Sequence, residues 1–485
     1  MRDHMDPALA GTQTGPGVLA VDLDGTLIKS DLLDESFWAG FARDWRTPVR
    51  ALGALVGGKA AMKARLQTLG MPDPATLPYR PEVLALIADW RARGGTVVLA
   101  TAADQAAARA VADHLGVFDA VHASDGTTNL RGKAKAELLT RLYGVRGFTY
   151  AGDSGADVPV WAQAKAAITV GARPSVRTRA QAANSAVTHI ATPQPSPGPM
   201  LRAMRPHQWL KNLLVFLPAV AAHAFGTETM GLALLAFAAF SLTASSVYVL
   251  NDLMDLAADR DHPRKRNRPL ASGALSLRRG MALVPLLLIA GGAIAALLGP
   301  GFVAVLLAYY LLTVAYSLTL KRQPLIDLAA LATLYSLRVV AGAVACGIAL
   351  SVWLVAFSIF LFFALAAVKR QAELVDLVQR GKAQASGRGY RVEDLQVVTQ
   401  MATASGFVSV LVLMLYLTEP EVTARYARPE LLWGVALVTL YWVARTVLLA
   451  ARGQMADDPV VFAARDRVSL LCGAAVSVLV LAAIR

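Results

Sequence analysis

Cysteine is nearly absent: Cys346 and Cys472 are the only two in 485 residues, and both lie inside apolar runs. No disulfide framework is indicated. Charge is scarce as well, at 17% of residues against 55% hydrophobic, with a mean hydropathy of +0.48. Ordinary soluble proteins are about 45–50% apolar, so this chain is not one of them. Acids are outnumbered, 34 Asp and Glu against 47 Lys and Arg, for a net charge of +13. No nucleic-acid module is recognisable, and no nucleic-acid partner is expected. Basic residues gathered in the cytoplasmic loops of a membrane protein account for the excess. The opening segment MRDHMDPALAGTQTGPG has no apolar stretch of the signal-peptide kind. No signal peptide is expected, and the first domain is expected to stay in the cytoplasm.

The apolar excess is uneven. Residues 1–17 read as a disordered lead-in. From Val18 the chain alternates strand and helix patterns: GVLAVDLDGTL, TVVLATA (96–102), FTYAGDS (148–154), AAITV (166–170) and AVTHI (186–190), with helical stretches such as PEVLALIADWRARG between them. That alternation predicts a parallel α/β, Rossmann-like sheet over 18–192. Residues 30–80, rich in Leu, Trp and Arg, predict a small helical cap. A Pro-rich linker is expected over 193–204, around TPQPSPGP.

Residues 205–485 predict an all-α polytopic membrane bundle. Runs of the roughly 20 residues that span a bilayer recur there. Nine spans are expected, at about 208–226, 229–250, 281–299, 302–320, 325–348, 352–368, 400–417, 431–450 and 467–484. With the soluble domain inside, the 251–280 loop falls inside with seven Lys and Arg, and the 369–398 loop with six. The connections near 227, 300 and 350 fall outside with none. This pattern obeys the positive-inside rule and predicts a bacterial-type inner-membrane protein.

In the soluble domain the first strand ends in VDLDGTL, with Asp22 and Asp24 one residue apart. At the carboxyl edge of a parallel sheet this pair suits phosphoryl transfer. Asp22 attacks phosphorus, and Asp24 protonates the leaving oxygen and then activates water. Such a site needs Mg²⁺, a cation of oxygen ligands, held by Asp22, Asp24 and Asp153 of GDSGAD, with Asp157 in support. Thr101, ending the second strand, and a lysine of GKAKAELL hold the phosphoryl oxygens. That lysine is read as Lys135, with Lys133 the alternative. The ordered set DxDGT, Thr, Lys and GDxxxD resembles the haloacid dehalogenase-like phosphatases over residues 18–192. The resemblance implies Asp22 as nucleophile, Asp24 as acid/base and Asp153 as a Mg²⁺ ligand.

The second span exits into NDLMDLAADRDHPRKRNRP, residues 251–269. Asn251, Asp252, Asp255 and Asp259 are spaced so that the carboxylates share one helical stripe. Three carboxylates on one stripe repel and need a cation, and Mg²⁺ bridged to phosphates suits them. Arg264, Lys265 and Arg268 add charge for the same anion. Further cations stand at Lys211 in RPHQWLKN, Lys321 in YSLTLKR, Lys369 and Arg370 beside Glu373 in VKRQAELVDL, and Arg338 inside an apolar run. An arginine at membrane depth costs at least about 2.5–3.5 kcal/mol. It must therefore meet an anion or a partner within the bundle. Asp458, Asp466 and Arg467 precede the last span and are read as helix caps.

NDxxDxxxD resembles the first acidic motif of the UbiA-type intramembrane prenyltransferases, over about 201–485. That implies a Mg²⁺-bound diphosphate in a bundle opening to the cytoplasm. The second acidic motif of the aromatic-prenylating members is replaced here by the more basic VKRQAELVDL. RPHQWLKN, the acidic loop and KRQAEL together resemble the polyprenyl-phosphate (decaprenyl-phosphate) phosphoribosyltransferase branch. Its donor is phosphoribosyl pyrophosphate and its acceptor a polyprenyl phosphate lipid. Transfer of a prenyl group to a small acceptor is the alternative. The transferase product keeps a 5-phosphate, which the attached phosphatase is expected to remove.

Overall fold

The computed structural model describes residues 16–56, 59–125, 129–192, 196–381, 388–455 and 458–484. The expected lead-in, except Pro16 and Gly17, lies outside these residues. The chain divides into two compact units. One holds the residues up to Ala203 together with Val249–Leu283, and the other holds Met204–Tyr248 and Val284 onward.

The first unit is built on six strands: β1 (Val18–Val21), β2 (Thr96–Asp104), β3 (Ala120–Ser124), β4 (Phe148–Gly152), β5 (Ala166–Val170) and β6 (Val187–Ile190). All pair in parallel, in the order β3-β2-β1-β4-β5-β6. Alternate residues of β1 serve opposite cores. Leu19 and Val21 pack with Val97 and Leu99, while Val18 and Ala20 pack with Val98, Phe148 and Tyr150. A strand buried on both faces reads as a continuous apolar run, which is why VLAV carries no polar residue. The chain leaves β1 toward β2 on one side and resumes at β4 on the other. The carboxyl ends of β1 and β4 therefore flank the crevice where ligands bind in such sheets.

Helices α1 (Leu32–Arg43), α2 (Thr47–Leu55) and α3 (Lys59–Gly70) fill the segment expected as a helical cap. The sheet's crossover helices follow as α4 (Pro81–Ala92), α5 (Gln105–Leu115), α6 (Lys133–Tyr143), α7 (Val158–Gln163) and α8 (Pro174–Ala183). The expected Pro-rich linker is in part helical, as α9 (Pro197–Met204). Its prolines stand in the first turn, where a missing N–H costs nothing.

In the membrane part the first expected span is broken. Residues Pro206–Phe216 form a 3-10 helix, followed by the short α10 (Leu217–Ala221). Pro206 and Pro218 each start a new segment. Gly342 explains how the irregular segment is tolerated, because a Cβ there would meet the Val215 carbonyl oxygen at 1.9 Å. Close packing of this kind shelters non-helical backbone inside a bundle.

Next come α11 (Thr227–Met254), α12 (Leu256–Asp261), α13 (Leu277–Leu297), α14 (Pro300–Leu318), α15 (Ile326–Cys346), α16 (Val352–Gln379), α17 (Leu395–Leu417), α18 (Pro420–Thr423), α19 (Leu432–Ala451), α20 (Pro459–Ala463) and α21 (Arg467–Ile484). Eight helices among the described residues are long and apolar enough to cross a membrane, one fewer than the nine expected. The chain is a polytopic membrane protein. Its central helix is α15, 67% buried along its apolar window, whereas α21 is only 11% buried. Leu470, Leu471, Val478 and Leu481 of α21 are exposed, as a lipid-facing helix requires.

Candidate functional sites

Asp22 leaves β1 with its N–H bonded to the Ala151 carbonyl, 3.0 Å away on β4. The carboxylates of Asp22, Asp153 and Asp157 then gather, each offering one oxygen within 4.8 Å of the others. Burial pushes the Asp22 carboxyl up to about 6, with the Asp157 charge adding and Lys135 opposing. Asp153 is pushed up to about 7 by burial and by Asp22 and Asp157. Packed hard oxygens that resist ionising together fit a divalent cation such as Mg²⁺.

Gly25 makes the approach possible. Its φ is +74°, and a Cβ there would lie 2.4 Å from Oδ2 of Asp153. Only glycine satisfies both conditions.

The structure places Lys135, not Lys133, at this cluster. Lys135 is buried, and its Nζ donates to Asp22 Oδ1 and to the Tyr150 hydroxyl, both at 2.8 Å. Lys133 is exposed. Tyr150 in turn donates to Asp157 Oδ1 at 2.8 Å. Asp157 also accepts from the Ser154 amide and hydroxyl, at 2.9 Å each. Thr101 is fully buried on β2, and its Oγ1 accepts from the Ala103 amide.

Asp24 differs from its expected part in the carboxylate group. Its Oδ1 accepts from the Leu32 amide at 2.8 Å, the first amide of α1. Burial, with Asp31 adding, raises its carboxyl well above the ordinary range. A carboxyl that holds its proton more tightly than usual suits a proton donor better than a metal ligand.

Asn251, Asp252, Asp255 and Asp259 lie in the same unit. α11 ends at Met254 and α12 resumes at Leu256, with a kink at Asp255 (φ −96°, ψ 14°). Helical bonding continues across the kink, from the Asp255 amide to the Asn251 carbonyl at 2.9 Å and from the Asp259 amide to the Asp255 carbonyl at 2.8 Å. Asp252 and Asp259 are each 2% exposed. Arg268 Nη1 stands between them, 3.2 Å from Asp252 and 2.6 Å from Asp259. Arg268, expected to meet the anion, thus balances the carboxylates. Burial raises the Asp259 carboxyl, and Arg268 opposes the shift. Asn251 Oδ1 is buried and accepts no hydrogen bond among the described residues. Together with the carboxylate oxygens it makes a donor set that fits Mg²⁺. Arg264 and Lys265 are exposed.

The second unit holds a half-buried basic cluster. Lys211, on the 3-10 segment, and Lys369, on α16, both donate to Asp458 Oδ2, at 2.7 and 3.0 Å. Tyr335 of α15 donates to Asp458 at 3.1 Å. Burial raises the Asp458 carboxyl, but Lys369 and Lys211 outweigh it and hold the group well below the ordinary range. Asp458 also caps α20 through the Val460 amide, the part expected of it. Its convergence on two lysines came from no local signal.

Arg338 is 5% exposed on α15. It donates to Asn212 Oδ1 at 2.8 Å, to the Leu334 carbonyl at 2.5 Å and to the Tyr309 hydroxyl at 3.1 Å. Its guanidinium lies 4.9 Å from the Tyr309 ring centre and 5.4 Å from that of Tyr335. Among the described residues no carboxylate neutralises it.

Arg370, expected near the substrate, is instead fully buried. It pairs with Asp327 at 2.6 Å and with Glu373. Asp327 also accepts from the Tyr390 hydroxyl at 2.6 Å. The Arg370 charge is spent in tying α16 to α15. Lys321 sits half-buried on the short 3-10 helix Leu320–Arg322.

The sequence profile of the UbiA prenyltransferase family matches residues 212–465, slightly more than half of the chain. That of the haloacid dehalogenase-like hydrolases matches residues 19–161. An uncharacterized protein, y4nM of Sinorhizobium fredii, is 37% identical over 467 residues, covering 95% of this chain and 89% of that protein. Nodulation protein NoeC of Azorhizobium caulinodans is 37% identical over 270 residues, 56% of this chain and 88% of that protein. A decaprenyl-phosphate phosphoribosyltransferase of Corynebacterium glutamicum is 36% identical over 212 residues, covering 42% of this chain and 64% of that protein. The chain belongs to the UbiA prenyltransferase family and carries a haloacid dehalogenase-like hydrolase domain ahead of its membrane part.

Proposed function

We propose that the membrane part transfers 5-phosphoribosyl from phosphoribosyl pyrophosphate to polyprenyl phosphate, and that the hydrolase domain then removes the 5-phosphate. The observation that carries the reading is the convergence of half-buried Lys211 and Lys369 on the single carboxylate Asp458, with buried Arg338 over the ring of Tyr335, whose hydroxyl also bonds Asp458. Three cations against one anion suit a dianionic phosphate held beside apolar helices. A polyprenyl phosphate has that headgroup and an apolar tail. The relatives named decaprenyl-phosphate phosphoribosyltransferase, 36% identical to parts of this chain, support the same reading.

In the transfer, a lipid phosphate oxygen attacks ribose C1 and diphosphate leaves. The acceptor is already an anion, so no strong base is required. Asn251, Asp252, Asp255 and Asp259 would hold Mg²⁺, which neutralises the departing diphosphate. Arg264, Lys265 and Lys321 lie in the polar segments that follow spans and supply further cations.

In the hydrolase domain Asp22 attacks the 5-phosphate and the ribose oxygen leaves with a proton from Asp24. Asp24 then takes a proton from water, which attacks the aspartyl phosphate and releases inorganic phosphate. Lys135 and Thr101 orient the phosphoryl oxygens. Asp22 and Asp153 would hold Mg²⁺, which screens the approach of two anions, and Asp157 supports them. We place the hydrolase domain in the cytoplasm, tethered to an inner-membrane enzyme, where its effective concentration on the lipid product is high.

The test supplies labelled phosphoribosyl pyrophosphate and polyprenyl phosphate to the full chain and resolves the lipids by mass spectrometry. Wild type should yield polyprenyl-phosphoryl ribose. Asp22→Asn should accumulate the 5-phosphorylated lipid. No label in lipid would overturn the transferase reading and favour transfer of a prenyl group to a small acceptor.

A further inference from the structure

The acidic loop and the hydrolase site belong to one compact unit, and one buried ion pair joins them. Arg260, on α12, donates from Nη1 to Glu35 Oε2 at 2.9 Å and from Nη2 to Glu35 Oε1 at 2.7 Å. Its Nε donates to the Ala271 carbonyl at 2.9 Å. The two side chains are 8% and 3% exposed. This two-pronged geometry fixes both distance and orientation. Arg278 adds an outer contact to Asp31 and Asp34, but it is 68% exposed and contributes little.

Glu35 lies in the first turn of α1, and the same turn holds Asp24. The Leu32 amide donates to Asp24 Oδ1. Asp31 caps the Leu33 amide beside it. On the other side, Arg260 follows Asp259 directly in the chain. A continuous series therefore runs from Asp24 through the start of α1, Glu35 and Arg260 to the helix bearing Asp259. Neither Glu35 nor Arg260 belongs to the carboxylate group of Asp22, Asp153 and Asp157.

We propose that Glu35 and Arg260 are positioning residues for the hydrolase reaction: through α1, a residue of the acidic loop sets where Asp24 delivers its proton. The inference rests on the phosphatase reading of the Asp22 site. Arg260 then acts on proton delivery without touching substrate. Its loss slows turnover and leaves phosphate binding, which uses Lys135 and Thr101, largely unchanged.

The test uses the full chain in nanodiscs with p-nitrophenyl phosphate as substrate. Removing one partner strands a buried charge and endangers folding, so both are replaced together, as Glu35→Met with Arg260→Met. Amide exchange of β1 and α1 reports folding. The expected result is a folded protein with kcat lowered roughly tenfold or more and KM within about twofold of wild type. Arg260→Lys, which keeps the charge, should recover part of the loss. A folded double variant with unchanged kcat overturns the proposal. Asp22→Asn separates the two readings: if it keeps full turnover, the phosphatase reading itself fails. If it is inactive while the double variant matches wild type, only the positioning role fails.

Discussion

Lys135 reaches across 113 residues of sequence to place its ammonium 2.8 Å from the carboxylate of Asp22. It also opposes the upward shift that burial imposes on that carboxyl. Lys135→Ala removes a buried donor aimed at the reacting oxygens. Phosphomonoester hydrolysis should fall by roughly 100-fold. Lys133→Ala, changing an exposed side chain two residues away, should stay within about twofold. Steady-state hydrolysis of p-nitrophenyl phosphate by both variants decides between the lysines that the sequence left open.

The carboxylate group makes the hydrolase domain sensitive to pH and Mg²⁺ together. Asp22 at about 6 and Asp153 at about 7 lie above their ordinary 3.8. A carboxyl with a raised folded value binds more protons folded than unfolded between the two values. Its contribution to stability is therefore full below about 3.8 and is lost as pH rises through 6 to 7. Metal-free protein should show falling amide protection factors in β1 and β4 as pH is raised across that window. Added Mg²⁺ should reverse the trend, and its apparent affinity should rise with pH, because binding displaces the protons. Protection factors that are flat in pH and indifferent to Mg²⁺ would count against a metal at these residues.

The hydrolase site was legible because its residues sit at strand ends. Apolar runs mark β1, β2 and β4, and each run stops at Asp22, Thr101 or Asp153. Tyr150 was not legible, since an aromatic inside an apolar strand reads as core. Only the fold brings its hydroxyl to Lys135 and Asp157. The membrane spans were legible from length, except the first, where Pro206 and Pro218 cut a run that still looks apolar enough. The acidic loop was legible in part. Its helical spacing survives a kink at Asp255, but Arg268 folds back onto Asp252 and Asp259 from beyond the reach of that spacing. Asp458 reads as a cap and is one, but its second oxygen meets lysines 247 and 89 residues away.

That convergence gives Asp458→Asn a specific outcome. Without the carboxylate charge, Lys211 and Lys369 repel each other in a half-buried place. Lipid ribosylation should drop, and the remaining activity should be more sensitive to ionic strength, as free anions compete for the unpaired lysines. Asp458→Glu should recover part of the activity. Unchanged activity in Asp458→Asn across salt would remove the cluster from the proposed phosphate site.

Arg370 and Asp327 make the opposite case. A fully buried pair joining two helices is costly to halve and cheap to replace whole. Asp327→Ala should destabilise the bundle by about 3–5 kcal/mol. Asp327→Leu with Arg370→Met should restore most of the thermal stability and retain ribosylation. If the stable double variant lost activity, Arg370 would belong to the substrate after all.

Arg338 tests the transferase reading most directly. Its Nε, one Nη1 hydrogen and one Nη2 hydrogen are committed to Asn212, Leu334 and Tyr309. A guanidinium carries five N–H donors, so two remain for an anion. The flanking tyrosine rings stabilise its charge without neutralising it. Arg338→Lys keeps the charge but loses the fork that holds Asn212 and Tyr309 together while presenting the remaining donors. Ribosylation should fall roughly 10²-fold or more, while thermal stability changes far less than in Asp327→Ala. Hydrolysis of p-nitrophenyl phosphate by the same protein should be unaffected, which separates a local defect from general misfolding. A ribosylation rate equal to wild type in Arg338→Lys would show that the arginine serves the bundle rather than the substrate.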